Sequence, residues 1–97
     1  MEEETVRRQA EAHAQATVAG DLKVAGSDLT QDALPAAGAV MKQMPKPLTG
    51  SAIDSVTAEG NEYVVLIRYS GEDSATVVES RWAEHEGRPR IVDLKVI

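Results

Sequence analysis

The residue best suited to chemistry in this chain is His13. It lies on the inward stripe of an N-terminal helical segment, and an imidazole there can act as a general base or as a hydrogen-bonding group in a pocket. A structural or boundary histidine fits the same pattern. His85 sits beside the last turn and reads as a surface group. Ser80 and Trp82 fall on one face of a strand, with Ser55 and Thr57 possible neighbours. A tryptophan buries about 150–250 Å² and its indole N–H needs a partner. These residues are either a wall that stacks on or hydrogen-bonds a ligand, or core with locally satisfied hydroxyls. Met41 and Met44 suit a pocket mouth or a gap in the core. The candidate pocket residues are therefore His13, Thr17, Met41, Met44, Ser80 and Trp82, and no catalytic residue is singled out.

Other chemistries lack their residues. Asp21, Asp28 and Asp32 do not have the glycine and terminal glutamate spacing of a calcium loop. There is no P-loop, HExxH, GxSxG or dinucleotide fingerprint. The absence of cysteine removes disulfides, thiolate metal sites and a cysteine nucleophile. No metal site and no cofactor are expected. A net charge of −6 disfavours nucleic acid and anionic membrane as partners. No apolar run approaches the roughly 20 residues that span a bilayer, and the acidic start Met1–Glu4 lacks the basic and apolar regions of a signal peptide. A soluble cytoplasmic protein is the expectation. A length of 97 residues allows one domain, residues 1–97, with one core. With a single Trp and no Phe, that core must be aliphatic and alanine-rich.

The elements that must position these residues follow from period and punctuation. From Glu2 to about Ala19 there is no Gly or Pro, and Ala, Glu, Arg and Gln dominate, which predicts a helix. Glu2, Glu3 and Glu4 suit its N-terminal dipole. Glu4–Arg8 and Arg7–Glu11 are i,i+4 pairs. Val6, Ala10, His13, Ala14, Thr17 and Val18 form a thin inward stripe. Gly20 suits a left-handed C-terminal position. Residues 21–34 carry cap residues (Ser27, Asp28, Thr30). Pro35 suits the first turn of a helix reaching Met44, and Pro45 and Pro47 end it.

A strand at about Ser51–Glu59 then turns through Gly60-Asn61. Strands Tyr63–Tyr69, Ala75–Glu84 and Arg90–Ile97 follow, joined by Gly-containing turns. The first turn leaves two choices for the helix-covered face: Ile53, Ser55 and Thr57, or Asp54, Val56 and Ala58. Placing Ile67 opposite Val77 and Trp82 opposite Val92 makes Val64, Leu66, Val78, Ser80, Trp82, Val92, Leu94 and Val96 the core face. The other face then carries Tyr63, Val65, Ile67, Tyr69, Val77, Glu79, Arg81, Ile91, Asp93, Lys95 and Ile97. Arg81 opposes Asp93 and Glu79 opposes Lys95, pairs contributing roughly 0.2–1 kcal/mol each. A second face this apolar marks an interface. It predicts a homodimer through the sheet, with Tyr63, Val65, Ile67, Tyr69, Val77, Glu79 and Arg81 as candidate contacts.

Helices followed by a four-stranded antiparallel meander make an α+β layout. Ala19-Gly20-Asp21 after the long helix, then SDLTQDAL with Pro35, and RWAEHEGRPRIVDLKVI at 81–97 resemble the nuclear transport factor 2-like superfamily, which includes ketosteroid isomerase-like and polyketide cyclase-like proteins. The resemblance implies a cystatin-like cone: a curved sheet wrapped around helices, a pocket between them, and dimers packed through the sheet. Members are usually longer, so a small pocket is implied. Isomerase-like members use pocket carboxylates and a tyrosine. In the register above Asp93, Glu79, Tyr63 and Tyr69 face away from the helices, so no catalytic residue carries over. Three functions remain. The first is a non-catalytic homodimeric domain binding a small apolar ligand or a protein partner. The second is an isomerase- or cyclase-like enzyme using His13 and pocket hydroxyls. The third is a structural module with a filled core. A cavity reaching both His13 and Trp82 would favour the first two, and a raised or lowered His13 pKa together with a carboxylate in that cavity would favour the enzyme.

Overall fold

A computed structural model describes all residues, Met1–Ile97. Helix α1 runs Glu3–Ala19, α2 Leu22–Ser27 and α3 Leu34–Met41, with a 3-10 turn at Gln31–Ala33. Strands β1 (Gly50–Glu59), β2 (Glu62–Ser70), β3 (Ala75–His85) and β4 (Arg88–Val96) form one antiparallel sheet in the order β1-β2-β3-β4. The helices cover one face of it. No helix is long and apolar enough to cross a membrane.

The helical expectations hold closely. Gly20 ends α1 at φ +77°, taking the left-handed position that other residues adopt at a cost. Its N–H bonds the Thr17 carbonyl. Val6, Ala10, His13, Ala14 and Thr17 are the buried stripe, small enough to let α1 settle close to the sheet. Asp21 caps α2, its side chain accepting from the Val24 N–H at 3.2 Å. Pro35 lies in the first turn of α3, which stops at Met41, short of Met44.

The strand registers differ from expectation in three places. In the β2–β3 hairpin Ser70 pairs with Ala75, so the loop is Gly71–Ser74 and Ile67 opposes Val78, not Val77. One residue of slip swaps a strand's faces. Val65, Ile67 and Tyr69 therefore point at the helices, 0%, 1% and 2% exposed, while Leu66 is only half-buried and Arg68 is exposed. The physical reason stands in β2 itself. Arg68 shares a face with Val64 and Leu66, and a guanidinium is not buried under an apolar helix. On the outer face it pairs with Asp54 at 2.8 Å.

The second difference is in β1, where the Gly60-Asn61 turn has two residues as the sequence suggests, with Glu59 opposite Glu62. A bulge between Ile53 and Ser55 then resolves the open choice by mixing both answers: Ile53 and Val56 both pack against the core. The third is a bulge between Arg81 and Trp82, where Trp82 opposes Ile91 rather than Val92. Ile91 thereby becomes fully buried instead of lying on the outer face. Trp82 itself faces the helices, as expected, with no exposed surface. Above the bulge Glu79–Lys95 and Arg81–Asp93 oppose one another as read from the sequence. Lys95 and Glu79 approach to 3.5 Å, but Arg81 turns instead to Glu59 and Glu62, each at 3.2 Å.

The β2–β3 loop has a steric requirement at Gly71. A Cβ there would lie 2.5 Å from the Pro45 Cβ and 3.1 Å from the Pro47 carbonyl oxygen. Neither neighbour is the end of a flexible chain. Gly71→Ala is expected to destabilise the fold by about 1–3 kcal/mol, the range for overpacking, as measured by urea denaturation. Unchanged stability would show that the proline segment yields freely.

Candidate functional site

Between α1, α2, α3 and the sheet lies a cavity of about 130 Å³. Its walls are apolar side chains such as Val40, Ile67, Val78 and Leu94, and the polar residues among its lining are His13, Thr17, Tyr69 and Ser80. It opens beside Leu22 and Met41, which stay 60% and 39% exposed. Of the residues singled out from the sequence, His13, Thr17, Met41, Met44 and Ser80 line this cavity. Trp82 does not. It stands behind His13, their rings edge-to-face at 6.0 Å and 85°.

Each polar group has a defined occupation. The Trp82 indole N–H donates to the Ser80 hydroxyl at 2.9 Å, and that hydroxyl donates to the Val65 carbonyl at 2.9 Å. Ser80 is thus held on both sides. Thr17 donates back along α1 to the His13 carbonyl at 2.9 Å. Tyr69 places its hydroxyl in reach of the Thr17 side chain. Burial pushes the Tyr69 hydroxyl up to about 12, with Thr17 acting weakly the other way.

His13 is held by a residue that the sequence pattern did not connect to it. Its Nδ1 lies 3.1 Å from Asp28 Oδ2, with both side chains nearly sealed. Gln9 Nε2 and an Arg88 guanidinium N–H each donate to Asp28 Oδ1 at 2.8 Å. Burial pushes the Asp28 carboxyl up, but the hydrogen bonds from His13 and Arg88, the charge His13 carries when it is protonated and the Gln9 bond outweigh it. The group stays below its ordinary value of 3.8. Backbone contacts fix where Asp28 sits. The Ile91 N–H donates to the Asp28 carbonyl at 2.7 Å, and the Thr30 N–H donates to the Ile91 carbonyl at 3.0 Å, a parallel bridge onto β4. Arg88 and Arg90 also donate to the Ser27 carbonyl, at 2.6 and 2.7 Å.

The histidine is thus oriented from one side and open on the other. His13 Nε2 makes no hydrogen bond within the protein, and no buried side-chain N or O is left sealed without a partner. Nε2 is therefore an accessible atom of a residue that lines the cavity. An imidazole held by a carboxylate, with its second nitrogen free, can accept a hydrogen bond or take a proton.

No family model and no curated protein matches the chain. A solved structure, that of an NTF-2 like protein of unknown function from Burkholderia xenovorans LB400, superposes with a TM-score of 0.66 over 98% of this chain and 83% of that chain, at 20% sequence identity. The chain has the NTF-2-like fold. At this identity the likeness concerns architecture, the helices set in the hollow of a four-stranded antiparallel sheet.

Within the NTF-2-like frame two sequence expectations need correction. Val65, Ile67 and Tyr69 were expected on a face shared with a second copy, but they sit under the protein's own helices. Tyr63 packs against the same core, its hydroxyl 3.5 Å from the Met1 carbonyl. Val77, Glu79 and Arg81 do lie on the outer face, as the β2–β3 pairing requires. Likewise Tyr69, expected to face away from the helices, lines the cavity. The residues missed were Asp28, Gln9, Arg88 and Tyr69. For Tyr69 the signal was available in Arg68, its neighbour on the opposite face.

Proposed function

We propose that this NTF-2-like domain binds a small apolar ligand in the cavity between its helices and its sheet. The observation that carries the reading is the cavity itself: about 130 Å³, almost wholly apolar, opening beside exposed Leu22 and Met41. An engineered apolar cavity of about 150 Å³ in another protein holds benzene, so this volume suits a single ring. Ligand sites commonly join apolar walls to a few placed polar groups, and His13 fills that role here.

The test uses toluene as probe and Gly26 as the plug. Gly26 lines the cavity, and a Cβ there would meet nothing within 4 Å. Toluene titrated into the protein is expected to shift the amide and methyl NMR signals of Val40, Ile67 and Val78. In Gly26→Leu those shifts are expected to vanish while the folded spectrum persists. Shifts spread over the surface, or equal in both proteins, would overturn the reading.

One observation supports a second reading, in which His13 acts as a general base on the bound molecule: the Asp28 carboxylate at Nδ1 orients the ring and leaves Nε2 free. Exchange of an acidic C–H of a bound ketone for deuterium, lost in His13→Phe, would separate catalysis from binding.

A further inference from the structure

We infer that the ligand of this cavity is a compact apolar molecule bearing one hydroxyl, of the size of a single-ring phenol, whose O–H donates to His13 Nε2. This rests on the binding reading above and adds the chemical class of the ligand.

An ionised carboxylate only accepts hydrogen bonds. Asp28 Oδ1 takes two, from Gln9 and Arg88, and Oδ2 faces His13 Nδ1 at 3.1 Å. Nδ1 must therefore carry the proton. When His13 is neutral, one ring nitrogen is the donor and the other the acceptor, so Nε2 is left as the acceptor. The other polar atoms do not compete for that role. Ser80 both accepts and donates within the protein, and the Thr17 proton goes to the His13 carbonyl. Tyr69 keeps its proton and can turn either way. The one polar atom whose character is set by its surroundings is thus an acceptor.

A ketone or ether would leave Nε2 unpaired, and an alkane would do the same. A carboxylate would set a charge against apolar walls, which is costly without a partner. A hydroxyl on a small ring meets both requirements. It fills about 130 Å³ with apolar surface and presents its donor to Nε2.

The experiment compares phenol with toluene, matched in size, by calorimetry on the wild type and on His13→Phe. The ratio of phenol to toluene affinity is expected to fall by about 5- to 150-fold in His13→Phe, the consequence of leaving a buried donor unpaired at about 1–3 kcal/mol. Long-range ¹H–¹⁵N NMR of the wild type supplies a second readout that needs no variant. Nδ1 is expected to be the protonated nitrogen, and Nε2 to shift on adding phenol but not toluene. If both molecules bind and Nε2 responds to neither, or the affinity ratio is unchanged, the hydroxyl inference is overturned and the apolar site stands. If neither molecule binds the wild type, the site reading falls and the inference falls with it.

Discussion

Asp28→Ala is expected to destabilise the protein by about 3–5 kcal/mol, the cost of removing one partner from a buried charge pair. Asp28 is 3% exposed and accepts from three side chains on two elements: Gln9 and His13 of α1, and Arg88 at the start of β4. Alanine would leave all three donors facing each other without their acceptor. Small domains have about 5–15 kcal/mol of stability in total, so this loss would be visible as a large drop in the urea midpoint. Asp54→Ala provides the contrast. Its pair with Arg68 is partly solvated, and such pairs contribute about 0–1 kcal/mol. Equal losses in the two variants would show that the Asp28 cluster is not the buried node described above. The pH dependence has a defined sign. The Asp28 carboxyl is held below 3.8 in the folded protein, so its stabilisation is present above the unfolded value and is lost as pH falls through the folded one. Asp28→Asn should flatten that acid limb of the stability curve.

Trp82→Ala is expected to cost a comparable amount, about 3–5 kcal/mol, the range for removing a large aromatic from a core. Here the cause is volume. Trp82 is fully buried, packs edge-to-face on His13, and closes the core behind the cavity. Its indole N–H is one hydrogen bond, to Ser80. Trp82→Phe separates the two contributions: it keeps most of the ring and loses the donor, and a cost of about 1–2 kcal/mol is expected for the emptied acceptor on Ser80. Circular dichroism against urea concentration measures both variants. A phenylalanine variant as unstable as the alanine one would assign the effect to the hydrogen bond and overturn the packing account.

Much of the fold was legible because its signals are local. The alanine stripe of α1, Gly20 at its end, Pro35 at the start of α3 and the order of the hairpins depend on residues within a turn or two of each other. The inward placement of Trp82 followed from the alternation of a single strand. The β2–β3 register was harder, because both faces of Tyr63–Tyr69 are rich in apolar residues and alternation alone does not rank them. Arg68 was the deciding residue, since a charged side chain marks the solvated face. The two bulges lay beyond reach, because an extra residue leaves no periodic trace in so short a strand. The site divides in the same way. His13 is visible from helical spacing. Its link to Asp28 spans a chain reversal and depends on the loop docking against Ile91, which no spacing rule encodes.

The docking of that loop has a further consequence. β4 is an edge strand, and an open edge offers unpaired N–H and C=O groups to any passing chain. The Ile91 N–H and carbonyl are already taken by Asp28 and Thr30. The segment that aims His13 into the cavity also closes part of the sheet's margin, where Asp93 and Lys95 add charge. A change that loosens it would expose a template for strand addition as well as disturb the histidine, so solubility and site geometry in this molecule are guarded by the same three residues.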